Sequence, residues 1–99
     1  MVAFGSYIII DALTKGEKKQ GDVIVTITNN RDDNVVVRLE IDYKDKYSDV
    51  LDSKETIRRL FKLSKGPHTF KLFVDGSYHS SYDRYIEIDQ DERVEFSIY

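Results

Sequence analysis

The side chains with the widest chemical reach in this chain are carboxylates. Asp42, Asp45, Asp49 and Asp52 fall in one stretch, and Asp89, Asp91 and Glu92 in another. Paired carboxylates cleave glycosidic bonds when held about 5–9.5 Å apart in a cleft. Several convergent ones bind calcium through their oxygens. Neither cluster has the fixed offsets and central glycine of an EF-hand loop. Both alternate with Lys, Tyr or Ser, as a solvated face does. They read first as charged turns, then as a calcium site, and last as catalytic acids.

The histidines come next. His68 opens an expected strand after Pro67, on the face that carries Phe70 and Leu72, while His79 lies just beyond Asp75-Gly76. In a hairpin closed at Asp75-Gly76, positions 74 and 77 pair, so 72 faces 79 and 68 faces 83. That keeps the two histidines apart along the ladder and implies separate roles, with no shared metal. No G-x-S-x-G elbow exposes a nucleophilic serine. The 5 glycines are scattered, so no loop is built to cradle phosphate. With 0 cysteines there is no thiolate nucleophile, disulfide or thiolate zinc site. The expectation is a protein that is not an enzyme and carries no cofactor or metal.

The stretch GSYHSSYDRY, Gly76 to Tyr85, has the palette of an antibody binding loop, in which Tyr supplies rigid contact area and Ser adaptable hydrogen bonds. Strand parity divides it. Tyr78 and Tyr82 share a face with Ile86 and Ile88 and are expected to cover the end of the core. His79, Ser81, Asp83 and Tyr85 point outward and form the candidate binding surface. A carbohydrate-binding face needs exposed aromatic rings, to which Tyr85, His79, Tyr43 and Tyr99 would contribute. Basic residues gather at Lys15, Lys18 and Lys19 and at Arg58, Arg59, Lys62 and Lys65. These read as strand edges protected by charge, or as a local patch for an acidic partner.

A chain of 99 residues makes one domain, 1–99, with a single modest core. It is 40% hydrophobic and 33% charged, too apolar for disorder. The net charge of −3 argues against nucleic acid and anionic membranes as partners. A protein partner is expected, and homodimerisation through an edge strand is compatible with the pattern. The lack of Cys and of a basic leader ahead of MVAFGSYIIIDAL favours a cytoplasmic setting over a secreted one. A module excised from a surface protein is the other reading. A thermophilic source would also account for a charge-rich, Cys-free chain.

These residues must be positioned by strands. The runs DVIVTITN, VVVRLEIDY, HTFKLFVD and RVEFSIY alternate apolar and polar residues with period two. Val35, Val37, Leu39, Ile41 and Tyr43 share one face of the second run. Phe70, Leu72 and Val74 face inward in the third, where Phe73 is an exception. NNRDDN, KGP and DG carry turn chemistry, and Asp-Gly is the strongest hairpin signal. One segment, 48–64, has two readings. A helix capped by Ser53 would place Ile57, Leu60 and Phe61 on one side. Two strands would place Ile57, Phe61 and Leu63 inward, leaving Arg59 towards the core unless a bulge intervenes. Sequential pairing favours the strands. Strands are then expected near 6–13, 22–29, 34–44, 47–52, 55–63, 68–75, 77–88 and 92–98. The fold class is all-β, an antiparallel two-sheet sandwich of about seven to eight strands.

Asn29-Asn30, Lys65-Gly66-Pro67-His68 and Val74-Asp75 occur in an order that resembles the cell-adhesion-related (CARDB-type) repeats, immunoglobulin-like modules of prokaryotic surface proteins. The likeness spans roughly residues 21–76. It implies an immunoglobulin-like β-sandwich that serves as a non-catalytic structural or protein-interaction module, binding through an edge strand or a loop end. A carbohydrate- or calcium-dependent binding module is the alternative, and a small enzyme the second alternative.

Overall fold

The computed structural model describes residues 20–99. The strand expected near 6–13, with Lys15, Lys18 and Lys19, lies outside them. The described residues form an all-β sandwich. Its strands are β1 (Gln20–Asn29), β2 (Val35–Ile41), β3 (Lys44–Leu51), β4 (Thr56–Ser64), β5 (Gly66–Val74), β6 (Ser77–Tyr78), β7 (Arg84–Ile88) and β8 (Glu92–Ile98). One sheet has the order β4-β1-β8. The other runs β3-β2-β5, with β6 and β7 sharing the far side of β5. Segment 48–64 is therefore two strands, and Ser53 caps no helix.

The period-two pattern puts one face of each strand into the core. Val23, Val25 and Ile27 of β1 meet Val35, Val37, Leu39 and Ile41 of β2, Phe70, Leu72 and Val74 of β5, and Val94, Phe96 and Ile98 of β8. Their burial supplies most of the driving force, at about 25 cal/mol per Å² of apolar surface removed from water. Among the described residues all pairings are antiparallel except one. β8 lies parallel to β1, from Val23↔Glu92 to Asn29↔Ile98, because the chain enters β8 from the other sheet. Gly21 is needed where the connection passes. A Cβ there would sit 2.7 Å from the Gln90 carbonyl oxygen and 2.8 Å from Ile88 Cγ2.

Two turns differ from expectation. Asp42 and Tyr43 have φ of 55° and 67°, so β2 ends at Ile41 in a two-residue turn and does not run on to 44. Two consecutive positive φ values match the twist of a hairpin. Tyr43 is consequently exposed and does not face the core with Ile41. A matching device closes β5. The Asp42 N–H donates to the Thr69 carbonyl while its Oδ1 accepts the Thr69 N–H at 3.0 Å. The Asp75 N–H donates to the Val36 carbonyl while its Oδ1 accepts the Val36 N–H at 2.9 Å. Each aspartate thus extends the β2–β5 pairing by one residue after its own strand has turned away.

The second difference lies beyond Asp75-Gly76. The hairpin closes as expected, with Val74↔Ser77 and Phe73↔Tyr78. A one-turn 3-10 segment at Ser80–Tyr82 then interrupts the strand, and pairing resumes with Phe70↔Arg84 and His68↔Ile86. His68 therefore faces Ile86 and not position 83. The detour shifts the register by an odd number of residues, which reverses the side-chain parity between β6 and β7.

Arg59 shares inward parity with Ile57 and Phe61, and no bulge rescues it. The β1–β4 register is continuous from Gln20↔Ser64 to Thr28↔Thr56. It escapes instead at the open side of the sandwich. Its guanidinium lies 5.0 Å from the Tyr47 ring centroid and 3.9 Å from Asp49 on β3. Arg84 closes the opposite side in the same way, 5.0 Å from the Phe96 ring centroid.

Candidate functional site

The outer face of the five-stranded sheet carries the densest group of aromatic and cationic side chains. The pairings Arg38↔Phe73 and Phe73↔Tyr78 place these three residues side by side across β2, β5 and β6. The Arg38 guanidinium lies 3.9 Å from the Phe73 centroid, and the Phe73 and Tyr78 rings are 5.7 Å apart and tilted. Lys71, one step along the same face of β5, continues the ladder. Its ammonium is 4.7 Å from the Tyr78 centroid and 5.3 Å from that of Tyr43. Cations over aromatic faces in this range are attracted by the ring quadrupole.

The electrostatics differ between the two cations. Arg38 is held by Asp45 at 2.7 Å and Glu40 at 2.6 Å, which raise its pKa and neutralise its charge locally. Lys71 makes no ion pair among the described residues, and its one polar contact is Tyr78 Oη at 3.5 Å. Burial disfavours the Lys71 ammonium, yet Tyr78 and the charge of Asp83 outweigh it and raise its pKa. The Tyr78 phenol donates to Asp83 Oδ2 at 2.5 Å, and that hydrogen bond, helped by burial, raises its pKa and keeps it a donor. A shallow depression lined by Arg38, Asp45, Lys46, Tyr47 and Ser48 adjoins the ladder. It lies where Lys46 is the extra residue of a β-bulge, since Leu39 pairs with Tyr47 but Glu40 with Asp45.

The four residues expected to share an outward face do not do so. His79 precedes the 3-10 turn, with its ring edge-on to Tyr82 at 5.9 Å. Ser81 lies within that turn, and Asp83 turns its carboxylate towards Tyr78. Tyr85 projects from β7 opposite Thr69 and is 76% exposed. Tyr78, expected on the core face, stands on the outer one beside Phe73. Tyr82 and Ile86 do pack against the core. The parity reversal accounts for both outcomes. Phe73 carried the sequence signal for this face, as the one apolar residue out of phase in HTFKLFVD.

A second constellation joins two turns. His68 Nδ1 lies 2.5 Å from Asp42 Oδ2, and Nε2 lies 2.7 Å from the Ser64 carbonyl oxygen and 3.3 Å from Ser64 Oγ. Serine, histidine and aspartate in this order invite comparison with a catalytic triad. The distances oppose that role. Nδ1 meets the Asp42 carboxylate and Nε2 the Ser64 carbonyl, both acceptors, an arrangement that favours a ring protonated on both nitrogens. A general base needs a free lone pair towards the serine. Burial disfavours the charged ring, but hydrogen bonds to Asp42 and Ser64 outweigh it, and the pKa of His68 is raised. Burial pushes the Asp42 carboxyl up, but the Thr69 N–H and His68 outweigh it, and its pKa is lowered. The pair clamps the β2–β3 turn to the β4–β5 turn.

The acidic clusters are dispersed. Asp45 binds Arg38, Asp49 accepts from Tyr47 Oη, and Asp91 accepts the Asp22 N–H. Among the described residues no group of three or more His, Asp or Glu side chains is placed to hold a metal ion. No protein-family model, curated protein or solved structure matches this chain.

Proposed function

We propose that this protein is a non-catalytic interaction module of immunoglobulin-like type. It would engage a protein partner through the outer face of the five-stranded sheet, at Tyr43, Lys71 and Tyr78. The observation that carries this reading is the cation–aromatic ladder, in which Lys71 lies between two exposed tyrosines and, among the described residues, has no carboxylate bound to it. Tyr and Arg dominate interface hot spots because they combine large rigid area with polar tips. Tyr43 strengthens the reading. Its φ of 67° leaves the ring 70% exposed, and a bulky residue held in that uncommon conformation points to function.

The immunoglobulin-like assignment draws support from strand order. The arrangement β4-β1 stacked on β3-β2-β5-β6 corresponds to the E-B and C′-C-F-G order of that fold. The parallel β8 is this chain's departure from it. The non-catalytic part of the reading draws support from His68, whose two ring nitrogens are taken up by Asp42 and Ser64.

Selection of binders from a displayed peptide library on the immobilised chain tests the proposal. Enriched binders should weaken about tenfold on Tyr78→Ala or Lys71→Ala, in line with hot-spot truncation. Binders insensitive to both changes would sink it. The exposed rings of Tyr43 and Tyr85 favour a second reading, a carbohydrate-binding face. Glycan-array signal that disappears in Tyr43→Ala would select it.

A further inference from the structure

We propose that the edge of β4 that no described strand covers accepts an acidic, extended segment of a partner protein by strand addition. This site lies on the other sheet and is independent of the aromatic face.

Three observations point to it. First, β4 pairs along all of Thr56–Ser64 with β1, without bulge or register shift, and no described strand lies on its other side. A long, regular edge is a template for a further strand. The other edge on this side of the sandwich, β3, carries the bulge at Lys46 and mixed charges at Lys44, Asp45, Lys46 and Asp49, both of which blunt an edge. Second, the segment is strongly basic in an acidic protein. Lys54, Arg58, Arg59, Lys62 and Lys65 face one acid, Glu55, in a chain of net charge −3. Arg58 and Lys65 have no side-chain partner among the described residues, whereas Lys62 pairs with Asp22 at 2.9 Å and Arg59 reaches Asp49. Third, the outward face has a repeat that a partner can read. Arg58, Leu60 and Lys62 follow at every second position, and Leu60 is 57% exposed beside its pair Ile24.

An added strand with matching pleat sets its own alternate residues beside these three. The complement is acid, apolar, acid at every second position. Main-chain hydrogen bonds would supply affinity, while the charges select the partner and speed its arrival. The same cations repel a second copy of β4, which disfavours an edge-to-edge homodimer here.

The test uses the full chain and a fluorescent peptide of repeat Glu-Thr-Leu-Thr-Glu, with a control carrying Lys for Glu. Anisotropy should report binding of the acidic peptide only, weakening with added salt. Hydrogen exchange should slow on β4. The variant Arg58→Glu, Lys62→Glu should lose about tenfold in affinity, with its melting temperature showing that it is folded. Tyr78→Ala should bind the peptide as well as the parent does. Equal binding of the two peptides, binding that survives the charge reversal, or protection confined to another strand would overturn the proposal. Concentration-dependent dimerisation with protection of β4 would overturn it in favour of a second copy.

Discussion

Stability is expected to fall as the pH rises from 6 to 9, and His68 is expected to be the cause. Its pKa is raised in the folded protein by the bonds to Asp42 and Ser64. A group raised on folding stabilises fully below its unfolded pKa, about 6.5, and loses that contribution as pH climbs through the folded value. Asp42 has the opposite sign. Its pKa is lowered, so it stabilises above the ordinary carboxylate range and fails as pH drops through the folded value. The pair is therefore at full strength between about pH 4 and 6.5. Nearby charges reinforce it, Glu87 on His68 and Lys46 on Asp42. A charge-assisted hydrogen bond contributes about 1.5–3 kcal/mol. The Asp42 side chain is 47% exposed, so solvent screens it and the lower end applies. About 1.5 kcal/mol corresponds to roughly 6–12 °C in melting temperature for a domain of this size. Thermal denaturation of the parent, His68→Gln and His79→Gln at pH 6 and 9 measures it. The parent and His79→Gln should lose this amount by pH 9, and His68→Gln should not. If His68→Gln does not fold, NMR titration of the His68 ring in the parent gives the same answer. Equal slopes in all three proteins, or a His68 pKa below about 6.5, would refute the imidazolium clamp.

Asn29→Ala should cost about 3 kcal/mol in urea unfolding. Its buried amide donates to the carbonyls of Asp33, Leu51 and Asp52 and accepts the Arg31 N–H, so truncation strands several polar groups. In Gly21→Ala the new methyl meets the Gln90 backbone, and the change should destabilise by roughly 1–3 kcal/mol. An unchanged urea midpoint would show that the connection before β8 yields freely. Tyr43 sits at a φ of 67°. Relief of that conformation in Tyr43→Gly should raise stability by about 1 kcal/mol. The same change should weaken the binders selected on the aromatic face, and a variant that binds normally would remove Tyr43 from that surface.

The core was legible because β1, β2, β5 and β8 bury every second residue, and alternation is a local property of the chain. Val23, Val37, Leu72 and Phe96 all lie where period two puts them. Asp75-Gly76 was legible because glycine marks positive φ. Asp42-Tyr43 was not, since nothing in Asp-Tyr announces two left-handed residues. That turn is tolerated through Thr69 and His68, which are distant in sequence. The facing of residues 78–85 was not legible for a related reason. Parity carried back from Ile88 to Tyr78 assumes an unbroken strand, and a short 3-10 turn of two exposed serines and Tyr82 has no apolar pattern to betray it.

By itself the sequence determined the all-β class, the strands that build the core and the lack of cysteine chemistry, because composition and period act locally. Only the tertiary structure decided which side chains meet. It paired β8 parallel to β1, carried Arg59 out through the open side to Tyr47 and Asp49, and closed His68 on Asp42. It also set His79, Ser81 and Asp83 around a 3-10 turn and brought Arg38, Phe73, Tyr78, Lys71 and Tyr43 together on one sheet face. Those contacts depend on register between strands far apart in the chain, and one odd detour is enough to exchange the faces.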